Sequence, residues 1–186
     1  MTLKEAKTKA LAMIEELNQN SSALTSDPDI AAKINEVMNQ VMFELARIKK
    51  IPQYVELPVE AGAMVTFADI EQACGRRVYQ LGTVGGVSYV SKASGTKLKI
   101  LESGTAEIDF FVYPNRITTE NEEGYVFELS DDALEIMPYG VAAHLLLSDV
   151  SAEYGAVYSK EYEKMLSRLD PRYQMNSVTF EGGVNI

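Results

Sequence analysis

The chain has 186 residues, 46% of them hydrophobic, with 17 Lys plus Arg against 27 Asp plus Glu and a formal net charge of −10. Such a composition supports a folded core and lies away from the disordered class, while the acidic balance disfavours ordinary binding to phosphate backbones. A single cysteine, Cys74, excludes an intrachain disulfide framework and a cysteine-based zinc cage.

The acidity is unevenly spread. Seven acids and seven bases cancel in residues 1–50, whereas residues 51–129 hold eleven acids to six bases and residues 130–186 nine to four. Met1 to Leu17 is interrupted by Lys4, Glu5, Lys7, Lys9, Glu15 and Glu16, which argues against a signal-peptide apolar run. No apolar stretch approaches the roughly 18 residues that span a bilayer. A soluble protein made in a cytoplasm, with no membrane partner, is the expectation.

The first helix is announced by Thr2-Leu3-Lys4-Glu5, a capping-box pattern, and by Leu3, Ala6, Ala10, Ile14 and Leu17 at helical spacing. Asn18 to Ser26 is polar and reads as a loop. Asp27 and Pro28 then supply an N-cap and a first-turn proline, and Ile30, Ile34, Val37, Met38, Val41, Leu45 and Ile48 form an apolar stripe that ends before Pro52. Residues 1–50 are thus expected to be an N-terminal helical hairpin.

From residue 51 to residue 129 the period changes to that of strands. Tyr54–Leu57 and Ala63–Phe67 read as strands, followed by a turn of helix at Ala68–Ala73. Arg77–Leu81 and Val87–Ser91 read as strands joined by a tight hairpin at Gly82-Thr83-Val84-Gly85-Gly86. Ala93–Thr96 is a turn into Lys97–Leu101, and Glu107–Tyr113 alternates with Ile108, Phe110 and Val112 on one face. Tyr125–Leu129 is the expected last strand. Short strands at regular turn spacing predict an antiparallel sheet folded on itself as a small sandwich or barrel.

Ser130 caps the next helical stretch, with Asp131, Asp132 and Glu135 favouring its N-terminal dipole. Leu134, Met137, Val141, Leu145, Tyr154, Val157 or Tyr158, Tyr162, Met165 and Leu169 keep a helical period. One long helix over residues 130–170 is therefore expected, packing on the N-terminal helices and kinked or restarted near Pro138 and Gly140. Asp170-Pro171 stops it, and residues 171–186 form an extended C-terminal arm. The fold class is α+β, a helical bundle with an inserted antiparallel β-domain.

The search for chemistry yields little. His144, the only histidine, lies mid-helix without a local nucleophile or carboxylate, and packing explains it. Cys74 adjoins Arg76 and Arg77, which could lower a thiol pKa, although a small buried filler is the plainer reading. Gly82–Gly86 lacks GxGxxG spacing and the Lys-Ser or Lys-Thr of a phosphate loop. Asp131-Asp132 and Glu120-Asn121-Glu122-Glu123 lack the spacing of a calcium loop. No catalytic, cofactor or metal site is expected.

Two features suggest interfaces. Tyr154, Tyr158 and Tyr162 form a stripe at four-residue spacing, suited equally to a core or to a subunit contact. The arm, with Arg172, Tyr173, Met175, Val178, Phe180, Val184 and Ile186, is too apolar for a solvated end and too short for its own core, so it is expected to dock.

Asp27-Pro28-Asp29-Ile30-Ala31-Ala32-Lys33-Ile34-Asn35, Phe43-Glu44-Leu45-Ala46-Arg47, Phe127 to Ala142 and Tyr162 to Tyr173, together with the closing Glu181-Gly182-Gly183, resemble head–tail adaptor (neck) proteins of tailed phages and prophages of Gram-positive bacteria. The resemblance spans nearly the whole chain and rests on no catalytic signature. It implies a virion protein made in the host cytoplasm, a helical bundle with a β-insertion. It further implies a ring, commonly of twelve copies, beneath the portal protein and above a tail or stopper protein, with DNA passing through without specific binding. A C-terminal segment would grip the portal while the β-domain faces outward or tailward. A tail-completion or stopper role belongs to the same class. The rival classes are a sugar- or peptide-binding β-domain using Phe111, Tyr113 and Tyr125, and an enzyme built on Cys74 or His144.

Overall fold

Two helix starts follow directly from their cap chemistry. Glu5 Oε2 accepts from the Thr2 amide at 2.8 Å while Thr2 Oγ1 accepts from the Glu5 amide at 3.2 Å, and helix α1 runs Leu3–Met13. Asp27 Oδ1 accepts from the amides of Asp29 and Ile30 at 2.8 and 3.2 Å, and α2 runs Pro28–Ile48. These geometries belong to a computed structural model that describes residues 1–18, 23–147 and 152–169. The expected C-terminal arm lies outside the described residues.

The described residues form a mixed α+β protein with five α-helices and two small antiparallel sheets. The chain divides into two compact units. One is helical, built from the described residues of Met1–Lys49 and of the chain after Arg116; the other, Lys50–Arg116, holds all the strands among the described residues.

In the helical unit, α4 (Asp131–Leu147) is the central element, against which α1, α2 and α5 (Ala152–Leu169) pack. It is apolar nearly all round, and Ala133, Met137, Val141, Ala142 and Ala143 are all buried, as expected of a helix enclosed by neighbours. The single long helix predicted over residues 130–170 is therefore two helices lying against one another. Pro138 sits inside α4 without ending it; it removes one backbone bond, which the surrounding packing outweighs.

Gly140 has a packing role instead of a kinking one. A Cβ there would stand 2.7 Å from Tyr162 Cε2 and 3.0 Å from Val41 Cγ1, so only glycine lets α5 and α2 approach α4 this closely.

The segment from Ile117 to Ser130 carries no strand, contrary to the expectation for Tyr125–Leu129. Its alternation is real, since Leu129 is buried and Val126 is 78% exposed. No strand pairs with it, however, and its inward residues pack on helices: the Tyr125 hydroxyl reaches Met42 Sδ at 3.6 Å. The segment is clamped by Asn39 on α2, buried to 1% exposure, which donates to the Ile117 carbonyl at 2.9 Å and accepts from the Ile117 amide at 2.8 Å.

In the second unit, strands β1 (Ile51–Val59), β3 (Val78–Gly85) and β6 (Gly104–Val112) form a sheet in the order β1-β6-β3. Strands β2 (Met64–Thr66), β4 (Tyr89–Lys92) and β5 (Lys97–Ile100) form another, in the order β2-β5-β4. The two ladders are separate, so the strands do not close into a barrel. A short helix, α3 (Phe67–Cys74), follows β2 and buries Ile70 completely.

Gly82–Gly86 is not the predicted hairpin. Residues 82–85 belong to β3, which pairs with β6, whereas β4 pairs with β5 in the other sheet. The register of β3 shifts between Leu81 and Val84, an irregularity that lets the chain leave one sheet for the other. Gly86, at φ +75°, follows it where a Cβ would collide with the Thr105 carbonyl.

Candidate interaction surfaces

Each sheet sorts its residues by the two-residue period of a strand. On β6, Ala106, Ile108, Phe110 and Val112 are buried, and on β5, Leu98 and Ile100 are buried. The intervening residues must therefore face outward, and they are mostly charged.

The outward face of the first sheet is acidic. Cross-strand register sets Glu56 opposite Glu107 and Tyr54 opposite Asp109. The Tyr54 hydroxyl donates to Glu56 Oε1 at 2.9 Å, and Thr83 donates to Asp109 Oδ2. Tyr54 is 51% exposed, yet its phenol is pushed up to about 12, first by the hydrogen bond to Glu56 and also by the charges of Glu56, Glu107 and Asp109. At one end of the face, Lys50 Nζ stands 4.7 Å over the Phe111 ring.

The outward face of the second sheet is basic along its central strand, with apolar residues on the strands to either side. Register sets Lys97 opposite Lys92 on one side and Thr66 on the other, and Lys99 opposite Val90 and Met64. Met64 and Val90 are 47% and 38% exposed. Among the described residues, none of Lys92, Lys97 and Lys99 makes an ion pair.

The tyrosine stripe on α5 divides into three environments. Tyr162 is buried against Gly140, and its hydroxyl donates to Glu44 Oε2 at 3.1 Å. Burial, followed by the Glu44 charge, pushes its pKa up, so it stays a neutral donor. Tyr158 is half-buried and donates to the Met13 carbonyl at the end of α1. Tyr154 is 71% exposed beside Val157, itself 60% exposed, one helical turn along. Of the three, only Tyr154 offers its ring to a partner. Arg172, Tyr173, Met175, Val178, Phe180, Val184 and Ile186 lie outside the described residues.

His144 joins the same junction, with Nε2 3.8 Å from Glu44 Oε1, which also accepts from Gln40 Nε2 at 3.4 Å. The nearby His144 is the main influence holding the Glu44 carboxyl below its ordinary value, against the effect of burial. The cluster joins α2, α4 and α5, and among the described residues no Ser, Thr or Cys side chain hydrogen-bonds to His144.

Cys74 is half-buried at the end of α3, with Sγ 3.5 Å from the Arg76 carbonyl. The neighbouring guanidinium groups point elsewhere: Arg76 Nη2 donates to the Tyr113 carbonyl at 3.0 Å, and Arg77 lies over the Tyr113 ring at 5.2 Å. Phe111, Tyr113 and Tyr125 each have an aromatic or cationic neighbour of their own. Tyr113 packs on Tyr79 at 4.8 Å, Phe111 lies under Lys50, and Tyr125 belongs to the helical unit, edge-on to Phe127 at 5.4 Å.

The helical unit also holds a cleft of about 1040 Å³ lined by Leu3, Lys7, Leu11, Ile34, Asn35 and Tyr125, among others. Lys7, only 4% exposed, pairs with Glu122, which also accepts from Asn35 Nδ2 at 3.1 Å. These bonds, Lys7 first, hold the Glu122 carboxyl below its ordinary value. Part of the cleft wall is Ala23–Thr25, which adjoins residues 19–22, outside the described set.

Among the described residues, no group of three or more His, Cys, Asp or Glu side chains is placed to hold a metal ion, and no helix is long and apolar enough to cross a membrane. No protein-family model matches the chain, and no curated protein matches its sequence.

Proposed function

We propose that the chain is a structural subunit of a phage neck, assembling with copies of itself into a ring between the portal protein and a tail or stopper protein. The observation that carries this reading is the arrangement of the chain. A helical unit made from the stretches on either side is interrupted by a β-unit whose outward sheet faces are charged and, among the described residues, lack ion-pair partners. Several ionisable groups are engaged in holding the fold: His144 and Tyr162 on Glu44, and Arg76 and Arg77 on Tyr113. The sequence resemblance to head–tail adaptors supplies the biological setting. In that setting an acidic subunit lets DNA pass without adhering, and the virion neck is where the protein resides.

The deciding experiment is the mass of the full chain in solution, alone and mixed with a candidate portal protein. A stoichiometric, ring-sized complex is expected with the portal. Deletion of residues 172–186 is expected to abolish docking, since the apolar arm is the proposed portal grip. A chain that ignores every portal offered would end the neck reading.

A further inference from the structure

We infer that neighbouring copies of this chain meet through their β-units, the basic sheet face of one copy packing on the acidic sheet face of the next. The inference deepens the ring reading above, and rests on it only in asking for a repeated self-contact.

Both faces are unfinished as surfaces of an isolated molecule. Glu56 lies directly across from Glu107, and Lys92 directly across from Lys97. Like charges placed opposite one another on adjacent strands repel, and neither pair has an opposite charge bound to it among the described residues. A surface of opposite sign would relieve both at once, and each face supplies what the other lacks. Their apolar parts match in the same sense. Met64 and Val90 stand exposed beside Lys97 and Lys99, while Tyr54 stands exposed beside Glu56 and Asp109. Contacts between proteins are enriched in Met and aromatic side chains relative to the rest of the surface, and Tyr is among the residues that carry most of their energy.

The two faces belong to different sheets, so one molecule cannot satisfy both with one neighbour related by a two-fold axis unless the contact is doubled. A contact between unlike faces is heterologous. Repeated, it leads from copy to copy, and it forms a ring where the rotation between copies closes. Charge also sets its direction, because acid-to-acid and base-to-base pairings are repelled.

The test is a charge swap in the full chain, read by sedimentation at low ionic strength. The parent is expected to associate as its concentration rises and to do so less as salt is added. Two variants, Lys97→Glu with Lys99→Glu and Glu56→Lys with Glu107→Lys, are each expected to stay monomeric where the parent associates. An equimolar mixture of the two regains association, because every contact in an alternating assembly again joins opposite charges. All four residues are exposed, and unchanged circular dichroism confirms that the variants fold. A parent that remains monomeric throughout, variants that associate as the parent does, or a mixture that fails to recover would each overturn the contact. Reversed variants that still form a normal ring on the portal would refute this contact and leave the neck reading standing. Recovery in the mixture without any portal binding would do the opposite.

Discussion

The two units treat charge in opposite ways. The helical unit draws its polar groups inward and uses them on itself: Lys7 on Glu122, Asn39 on the Ile117 backbone, Tyr162 and His144 on Glu44. The β-unit sends its charges outward, and Glu107, Lys92, Lys97 and Lys99 have no ion-pair partner among the described residues. A buried polar group that loses its partner is costly, whereas an exposed charge contributes little to stability. Stability should therefore depend on the polar groups of the first unit and be nearly blind to those of the second.

The largest effect is expected at Asn39. Asn39→Leu strands the Ile117 amide and carbonyl in a buried position, at about 1–3 kcal/mol for each group, and a lowered urea midpoint would register it. A stability equal to the parent's would break the comparison at its strongest point. Next comes Gly140→Leu, which forces a side chain into the Tyr162 ring and Val41. Overpacking of this kind costs about 1–3 kcal/mol, seen as a lower melting temperature with loss of near-ultraviolet tyrosine signal.

A smaller effect belongs to Glu122. Its carboxyl titrates below the ordinary carboxylate value when folded, chiefly through Lys7. It therefore stabilises the fold above the unfolded value of about 4.3, and the contribution goes as pH falls from there through the folded value. Glu122→Gln should lower stability at neutral pH and flatten the decline on acidification. Urea titrations at neutral and acid pH would show an unchanged slope if the Lys7 pairing contributes nothing. The smallest effect is predicted for Lys99→Glu in the β-unit, within about 0.5 kcal/mol of the parent as for most exposed substitutions. A larger destabilisation in the monomer would mean that this face is working within its own unit.

Some of this was legible in the residues alone. Thr2 with Glu5, and Asp27 with Pro28, specify local chemistry that needs no tertiary partner, so α1 and α2 begin where expected. The alternation through Glu107–Val112 marks a strand with one buried face. What failed was everything set by a distant neighbour. Apolar residues keep a helical period through residues 130–170 whether one helix continues or two fold back, because both α4 and α5 face the same core. Tyr125–Leu129 alternates like a strand, but a ladder needs a partner, and none comes. Gly82–Gly86 looks like a hairpin until β6 is known to lie beside β3. The charged faces were half visible: Lys97-Leu98-Lys99-Ile100 and Glu107-Ile108-Asp109-Phe110 each show one stripe. Only the pairings add Lys92 to the one and Glu56 to the other.

The pairing of β1 with β6 has a consequence for how such a chain could arise and be altered. Ile51, where the chain has just entered the β-unit, lies directly across from Val112, shortly before it leaves, and residues facing one another in an antiparallel ladder are about 5 Å apart. To the helices on either side, everything between those two positions amounts to one closed loop. Closing a longer loop adds little entropy cost. The β-unit is thus a cassette with a single seam, and the helical host could exchange it for a short linker or another cassette without relearning its own fold.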